Sequence, residues 1–222
     1  MPAGPVLLLD MDGVVLEGRG ADPVVHERAL ADAIDEYGIA VPERHRSALS
    51  SYEYTDAFAA ACRAVGVDPE GFYAARERHS ARRIADRVER EVRGLYPDAD
   101  ALSELDDRYR LGLVSNNYHR VVETVVDHHA LDAFTVVRGR DPGVEGFRRR
   151  KPEPYYLLET MERLGADGGL YVGDRETDLV AAGRAGLDGV FLRREHNAGV
   201  EPAVEPARRI RSLADLDGPG LP

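Results

Sequence analysis

The stretch LLLDMDGVV, residues 7–15, carries an apolar run directly into two aspartates. A short aliphatic run bounded by glycine and proline is typical of a strand buried on both faces, as in a parallel sheet. Because side chains alternate along a strand, we expect Asp10 and Asp12 to leave on the same side and Met11 to point away. Two carboxylates this close repel each other unless a cation lies near them. The stretch therefore predicts a buried strand that ends at a candidate metal site.

Strand and helix patterns alternate in the second half of the chain. Apolar runs predict strands in YRLGLVS, which ends at Ser115, in FTVV, in GLYVGD and in GVFL. Helical patterns begin near Asp98, His119, Pro152 and Thr177, and a short one covers residues 210–216. With the first strand, this order predicts an α/β fold whose Rossmann-like parallel sheet binds ligands at the carboxyl ends of its strands.

The segment between the first strand and this second half is predicted to be helical throughout. Apolar residues recur four apart from Val25 to Tyr37 and again from Ile84 to Val92, and two further helical patterns lie between them. We therefore expect residues 17–93 to form an α-helical cap domain. In this division the α/β core consists of residues 1–16 and 94–222.

The balance of charges limits the class of partner. Forty acidic residues stand against 29 basic ones, which gives a formal net charge of −11, and Lys151 is the single lysine. A nucleic acid is not expected as a partner, because binding a phosphate backbone needs a basic surface. An acidic, lysine-poor surface predicts a halophilic protein, since concentrated salt screens its self-repulsion.

Membrane and export signals are not recognised in the sequence. No run approaches the roughly 20 apolar residues of a membrane span, and the first residues lack the pattern of a signal peptide. We therefore expect a cytoplasmic protein without a membrane partner.

Polar residues follow three of the predicted strands, and a lysine precedes one of the helices that connect them. They are Asp10 and Asp12 after the first strand, Ser115, Asn116 and Asn117 after the second, Lys151 before the third connecting helix, and Asp174 and Asp178 after GLYVG. Carboxylates at neighbouring strand ends form an oxygen-ligand site that fits Mg²⁺ better than zinc. A serine turn and a lysine beside them are suited to a phosphate group. This edge of the sheet is therefore predicted to bind Mg²⁺ and a phosphorylated ligand.

The segments DMDGVV, SNN, KPEP and GDRETDLVAAGRAG resemble, in this order, the four signature motifs of the haloacid dehalogenase superfamily. The resemblance covers residues 4–16 and 94–200, and the helical segment occupies the place of the cap that this family inserts after its first strand. The similarity is to the phosphatase branch, which includes phosphoglycolate phosphatase and β-phosphoglucomutase. Val14 differs from the family pattern, which often has threonine there.

The resemblance implies a Mg²⁺-dependent phosphatase that hydrolyses a small phosphomonoester, a phosphorylated metabolite, through an aspartyl-phosphate. Asp10 would attack phosphorus, and Asp12 would act as general acid and then as general base. The Asp10 carboxylate, the Asp12 main-chain carbonyl and Asp174 would hold Mg²⁺. Asp178 would be either a ligand through water or the residue that orients Lys151.

The same resemblance assigns the phosphoryl-binding groups. Ser115, the Asn116 amide and Lys151 would bind the phosphoryl oxygens, and Asn117 is a further candidate. The cap helices are predicted to form a mobile lid over the strand ends, with hinges near residues 18–20 and near Gly94, because closure excludes bulk water from the reaction.

Other reactions of similar folds remain alternatives to different degrees. A haloacid dehalogenase generally lacks the second aspartate, and a phosphonate hydrolase needs a cap lysine, so Asp12 and the single Lys151 argue against both. A phosphosugar mutase of the β-phosphoglucomutase type shares every core motif and stays open. A receiver-like phospho-aspartate signalling domain is the alternative from another class, although it needs neither Asp12 nor a cap.

Overall fold

The computed structural model describes residues 4–18, 22–90 and 93–217. Within them, six parallel strands form a sheet in the order β3-β2-β1-β4-β5-β6. The strands are β1 (Val6–Leu9), β2 (Arg110–Tyr118), β3 (Phe134–Arg140), β4 (Gly169–Gly173), β5 (Asp188–Leu192) and β6 (Arg208–Ile210). The predicted α/β fold with a parallel sheet is confirmed. The sixth strand was not predicted, because three residues at an edge are too few to show a periodic pattern.

The helices connect the strands and cover both faces of the sheet. They are α1 (Pro23–Tyr37), α2 (Glu43–Leu49), α3 (Asp56–Ala64), α4 (Pro69–Glu89), α5 (Leu102–Asp106), α6 (His119–His128), α7 (Val144–Arg148), α8 (Tyr155–Leu164) and α9 (Glu176–Ala185). Leu7 and Leu9 of β1 pack in the same apolar cluster as α6, whereas Val6 and Leu8 pack with α8 and α9. Strand β1 is therefore buried on both faces, as predicted.

Two predicted boundaries were wrong at the edge of the sheet that matters for function. Strand β2 continues past Ser115 to Tyr118, which pairs with Arg140 of β3 after a register shift. Helix α8 begins at Tyr155 rather than at Pro152. The residue before a proline is disfavoured in the helical conformation, and Glu153 precedes Pro154. Lys151 therefore lies in a loop, not at a helix start.

Helices α1 to α4 lie between β1 and β2 in the chain, where the sequence predicts the cap. Their shared apolar cluster contains Phe58, Phe72 and Tyr73, and it also includes Phe147 of α7. Helix α4 packs against α6. The division into a core and a separate cap domain stays a prediction, as does the mobility of the lid. Residues 19 and 20 of the predicted hinge lie outside the described residues.

None of the described helices combines the length and the apolar character that a membrane-spanning helix needs.

Candidate active site

Three neighbouring strands bring the predicted site residues to one edge of the sheet. Asp10 follows β1 and donates its main-chain N–H to the carbonyl of Val172 in β4, at 2.9 Å. Ser115 lies near the end of β2, and Asp174 directly follows β4. The sheet order places β1 between β2 and β4. Parallel pairing therefore carries these three side chains to the same edge.

Lys151 is the centre of a buried cluster of charges. Its Nζ lies 2.8 Å from Oδ1 of Asp10 and 2.8 Å from Oδ1 of Asp178. It also donates to the hydroxyl of Tyr171 at 2.6 Å. The carbonyl of Val114 is a more distant acceptor at 3.4 Å, so the three N–H donors of the ammonium are matched by the three near acceptors. The lysine is 3% exposed, which means that its charge acts in a site from which water is largely excluded.

The carboxyl groups of Asp10 and Asp174 have pKa values above their usual range. Burial raises the pKa of Asp10 to about 6, although the ammonium of Lys151 acts in the opposite direction. Burial, followed by repulsion from Asp10, also raises the pKa of Asp174. Burial alone would lower the pKa of Lys151, but the carboxylates of Asp10 and Asp178 raise it. Burial therefore outweighs the attraction of Lys151 in setting the pKa of Asp10.

The carboxylates fit a divalent cation. One oxygen each of Asp10, Asp174 and Asp178 lie within 4.8 Å of one another. Oδ1 of Asp174 is buried and accepts no hydrogen bond from the described residues. A buried carboxylate oxygen without a donor is costly unless a cation or water binds it. Three carboxylates also match the hard oxygen ligands that Mg²⁺ prefers.

Asp178 differs from the other two carboxylates because both of its oxygens are occupied. Oδ1 contacts Lys151, and Oδ2 accepts the main-chain N–H of Arg175 at 3.0 Å as part of the cap of α9. Of the two roles predicted for Asp178, this geometry favours orientation of Lys151 over binding a metal.

The Asp12 side chain is held apart from the carboxylate cluster. Oδ1 lies 2.6 Å from Nη1 of Arg93, and Oδ2 accepts from Nδ2 of Asn117 at 3.1 Å. The guanidinium of Arg93 also donates to the carbonyls of Glu17 and Gly18. Arg93 thus connects Asp12 with both chain segments that lead into the helical region.

The polar residues of β2 divide into different tasks. The side chain of Asn116 pairs with the main chain of Lys151, accepting from its N–H at 2.8 Å and donating to its carbonyl at 3.0 Å. Asn117 contacts Asp12, and the Ser115 hydroxyl accepts the Asn117 main-chain N–H at 3.1 Å. The structure therefore gives both asparagine side chains positioning contacts, so a phosphoryl-binding role for Asn116 rests on its main-chain N–H.

A cavity of about 120 Å³ lies beside Asp12. From the sheet edge and its loops it is lined by Asp12, Asn116, Asn117, Tyr118, Arg140 and Arg175, and from the helical segment by His26, Tyr52 and Ile84. The helical segment therefore lies on the same side of the sheet as the Asp12 carboxylate. Of the histidines in the helical segment, His26 lines this cavity, whereas His79 does not and its Nε2 lies 2.6 Å from Oε2 of Glu36.

Three residues of this site were missed by sequence reasoning. Tyr171 accepts from Lys151, Arg93 binds Asp12, and Nε2 of His196 lies 2.6 Å from Oδ2 of Asp174. A signal existed for His196, because it follows GVFL, a predicted strand that ends at the same edge. Arg93 and Tyr171 carried no such signal, since Arg93 lies at the end of a helical pattern and Tyr171 lies inside an apolar strand.

Comparisons with known proteins match most of the chain. Residues 5–186 match the model of the haloacid dehalogenase-like hydrolase family. The chain is 26% identical to a phosphoglycolate phosphatase of Rhodobacter capsulatus, over 96% of this chain and 95% of that protein.

Solved structures share the fold. CbbY from Rhodobacter sphaeroides in complex with phosphate is 19% identical, with 97% of both chains covered and a TM-score of 0.62. A putative β-phosphoglucomutase from Thermotoga maritima is 18% identical, with 93% of this chain and 94% of that one covered and a TM-score of 0.53. At these identities the likeness concerns the fold alone.

Proposed function

The chain belongs to the haloacid dehalogenase-like hydrolases, and from this premise we propose that it is a Mg²⁺-dependent phosphatase acting on a small phosphomonoester through an aspartyl-phosphate on Asp10. The observation that carries the proposal is the buried cluster in which Lys151 contacts Asp10 while the Asp174 carboxylate lies beside them. Similarity to a phosphoglycolate phosphatase supports the same reaction class. The receiver-like alternative loses its support, because residues 5–186 match a hydrolase family rather than a signalling domain.

Asp10 is the nucleophile in this proposal. The N–H of Met11 and the ammonium of Lys151 both bind its Oδ1, at 2.8 Å each. We assign the attack to Oδ2, which forms a bond to phosphorus as the bond from phosphorus to the leaving oxygen breaks. Holding one oxygen with two donors fixes the direction of the other, so little reorganisation is needed before attack.

Asp12 carries the proton in both steps. Protonated, it gives its proton to the leaving oxygen, and as the carboxylate it then takes a proton from the water that attacks the aspartyl-phosphate. Arg93 and Asn117 each hold one of its oxygens. These contacts fix the position of the carboxyl group at the wall of the cavity.

The metal site in this proposal consists of the carboxylates of Asp10 and Asp174 with the main-chain carbonyl of Asp12. These groups would hold Mg²⁺, which would supply positive charge to offset the negative charge on the phosphoryl oxygens. Lys151 supplies a further positive charge, and the Ser115 hydroxyl with the Asn116 main-chain N–H binds the phosphoryl group.

The cavity of about 120 Å³ lies beside Asp12, the proposed general acid, and is therefore where the leaving group would lie. Because residues of the helical segment line this cavity, the predicted lid would contact the leaving group. We keep the cytoplasm as the predicted location and a small phosphorylated metabolite as the predicted partner.

Metal removal tests this function directly. We expect purified protein to release phosphate from p-nitrophenyl phosphate or from members of a phosphorylated-metabolite panel, and we expect chelation to abolish release until Mg²⁺ is restored. Phosphate is measured directly, because a mutase returns the phosphoryl group to a sugar hydroxyl and accumulates no phosphate. Undiminished hydrolysis after chelation contradicts the Mg²⁺ requirement, and transfer to sugar without phosphate release supports the mutase instead.

Replacing Lys151 by arginine tests the shape of the cationic site. The ammonium lies among three acceptors at 2.6–2.8 Å, whereas a planar guanidinium needs more room and has fixed bonding directions. We expect Lys151→Arg to lower kcat/KM at least tenfold, about 1.4 kcal/mol of transition-state stabilisation. The control is Arg148→Lys, at an exposed position nearby, which should change kcat/KM far less. Wild-type kcat/KM in Lys151→Arg would mean that charge alone suffices.

A further inference from the structure

His196 lies in the loop after β5 and contacts the carboxylate of Asp174. Its Nε2 is 2.6 Å from Oδ2 of Asp174, whose side chain has no exposed surface. An ionised carboxylate only accepts hydrogen bonds, so Nε2 is the donor. The hydroxyl of Tyr96 lies 3.4 Å from Nδ1 on the other side of the ring. The imidazole is therefore held from both sides in an orientation that presents Nε2–H to Asp174.

The loop that carries His196 is fastened to the same strand end. Nδ2 of Asn197 donates to the carbonyls of Asp174 and Leu192, at 2.9 and 3.0 Å. Oδ1 of Asn197 accepts the main-chain N–H of Arg194 at 2.7 Å, and Arg194 is paired with Asp98. These buried contacts fix the distance between the loop and Asp174.

Gly13 provides the space for this contact. It has a φ of +84°, and a side chain there would clash with Oδ2 of Asp174 and lie 3.2 Å from Cε1 of His196. Oδ2 is therefore enclosed by the imidazole and by the turn after β1. The other oxygen, Oδ1, is buried and accepts no hydrogen bond from the described residues. Nε of Arg175, 3.6 Å away, is beyond hydrogen-bonding distance.

We propose that His196 is a positioning residue for the metal site, which binds Oδ2 of Asp174 and thereby leaves Oδ1 as the oxygen that binds Mg²⁺. The inference rests on the Mg²⁺ site of the proposed function. A hydrogen bond to a ligating carboxylate fixes its orientation before the metal arrives, and loss of such a contact typically weakens metal binding 10–100-fold.

Two substitutions with different reach test this role. The side-chain amide nitrogen of glutamine can take the place of Nε2, whereas that of asparagine corresponds to Nδ1 and falls short of Asp174. We expect His196→Asn to raise the Kd for Mg²⁺ about 10–100-fold and His196→Gln to stay much closer to wild type. Isothermal titration calorimetry of the full chain with Mg²⁺ alone measures both, independently of turnover. His128→Ala, at an exposed position on α6, is the control and should leave the Kd unchanged.

The outcomes separate this inference from the proposed function. Wild-type affinity in His196→Asn overturns the inference, and so do equal losses in the asparagine and glutamine variants, which would assign the effect to packing of the ring. Failure of the wild-type protein to bind Mg²⁺ overturns the inference together with the Mg²⁺ dependence. A wild-type protein that binds Mg²⁺ but hydrolyses no phosphomonoester contradicts the proposed function alone.

Discussion

Asp10→Asn is expected to lower kcat for phosphate release by about 10⁴–10⁶-fold, the range seen when a nucleophile is removed from a covalent mechanism. The amide has nearly the shape of the carboxylate and can still accept from the N–H of Met11 and from Lys151, which contact Oδ1 at 2.8 Å each. It lacks the charge needed to attack phosphorus. The loss should therefore appear in turnover and not in folding, since Lys151 keeps the carboxylate of Asp178 as a charged partner at 2.8 Å.

A second variant separates the roles of the two aspartates. In Asp12→Asn the nucleophile is intact, so p-nitrophenyl phosphate, whose leaving group needs little protonation, should still phosphorylate Asp10. Hydrolysis of that phosphoenzyme should be slow, because the general base is missing. Mass spectrometry after an acid quench should find phosphate on the peptide containing Asp10 in Asp12→Asn and not in Asp10→Asn. Substantial phosphate release by Asp10→Asn, or phosphate on another residue, contradicts the assignment of Asp10.

The strand ends are the part of the site that the sequence predicts well. Apolar runs ending in Asp10, Ser115 and Asp174 identify buried parallel strands, and parallel pairing requires their carboxyl ends to meet at one edge. The position of Lys151 follows less directly, because it lies in a loop whose path depends on the side chain of Asn116. The sequence placed a helix start there, and that prediction was wrong.

Contacts between distant loops are the part that the sequence does not predict. Arg93 lies 81 residues from Asp12, and His196 lies 22 residues from Asp174. Periodicity describes which face of an element is buried, so it carries no information on which loop side chains meet. The halophilic character also stays a prediction, since net charge bears on solubility and not on fold.

Glu77 and Arg140 form a buried ion pair between the helical segment and the sheet. Glu77 of α4 is 2% exposed and Arg140 at the end of β3 is 1% exposed. The guanidinium donates to both carboxylate oxygens, at 2.6 and 3.0 Å, and the carboxylate also accepts the main-chain N–H of Gly143. Removing one partner of such a pair leaves the other charge buried and uncompensated, and this typically costs about 3–5 kcal/mol.

We therefore expect Glu77→Gln to lower the free energy of unfolding by about 3–5 kcal/mol, measured from urea unfolding curves. The double variant Glu77→Leu with Arg140→Met should lose much less, because it removes both charges and retains apolar volume. The exposed pair of Glu153 and Arg184 supplies the control, and Glu153→Gln should cost no more than about 1 kcal/mol. Equal stability of Glu77→Gln and wild type contradicts this account.

The same pair bears on the predicted lid. Arg140 lines the cavity beside Asp12, and Glu77 belongs to the helical segment that would have to move. Two kinds of opening are conceivable. In one, the segment rotates about the predicted hinges and Glu77 moves away from Arg140, which leaves two buried charges unpaired. In the other, the segment rotates about the contact between Glu77 and Arg140, which stays intact. If opening separates the pair, the lid of the Glu77→Gln variant should open more easily than that of the wild type. Limited proteolysis under native conditions should then cut the variant faster than the wild type, at the same site between β1 and β2. If Glu77→Gln shows the expected loss of stability but is cleaved under native conditions at the wild-type rate, the lid rotates about the contact between Glu77 and Arg140.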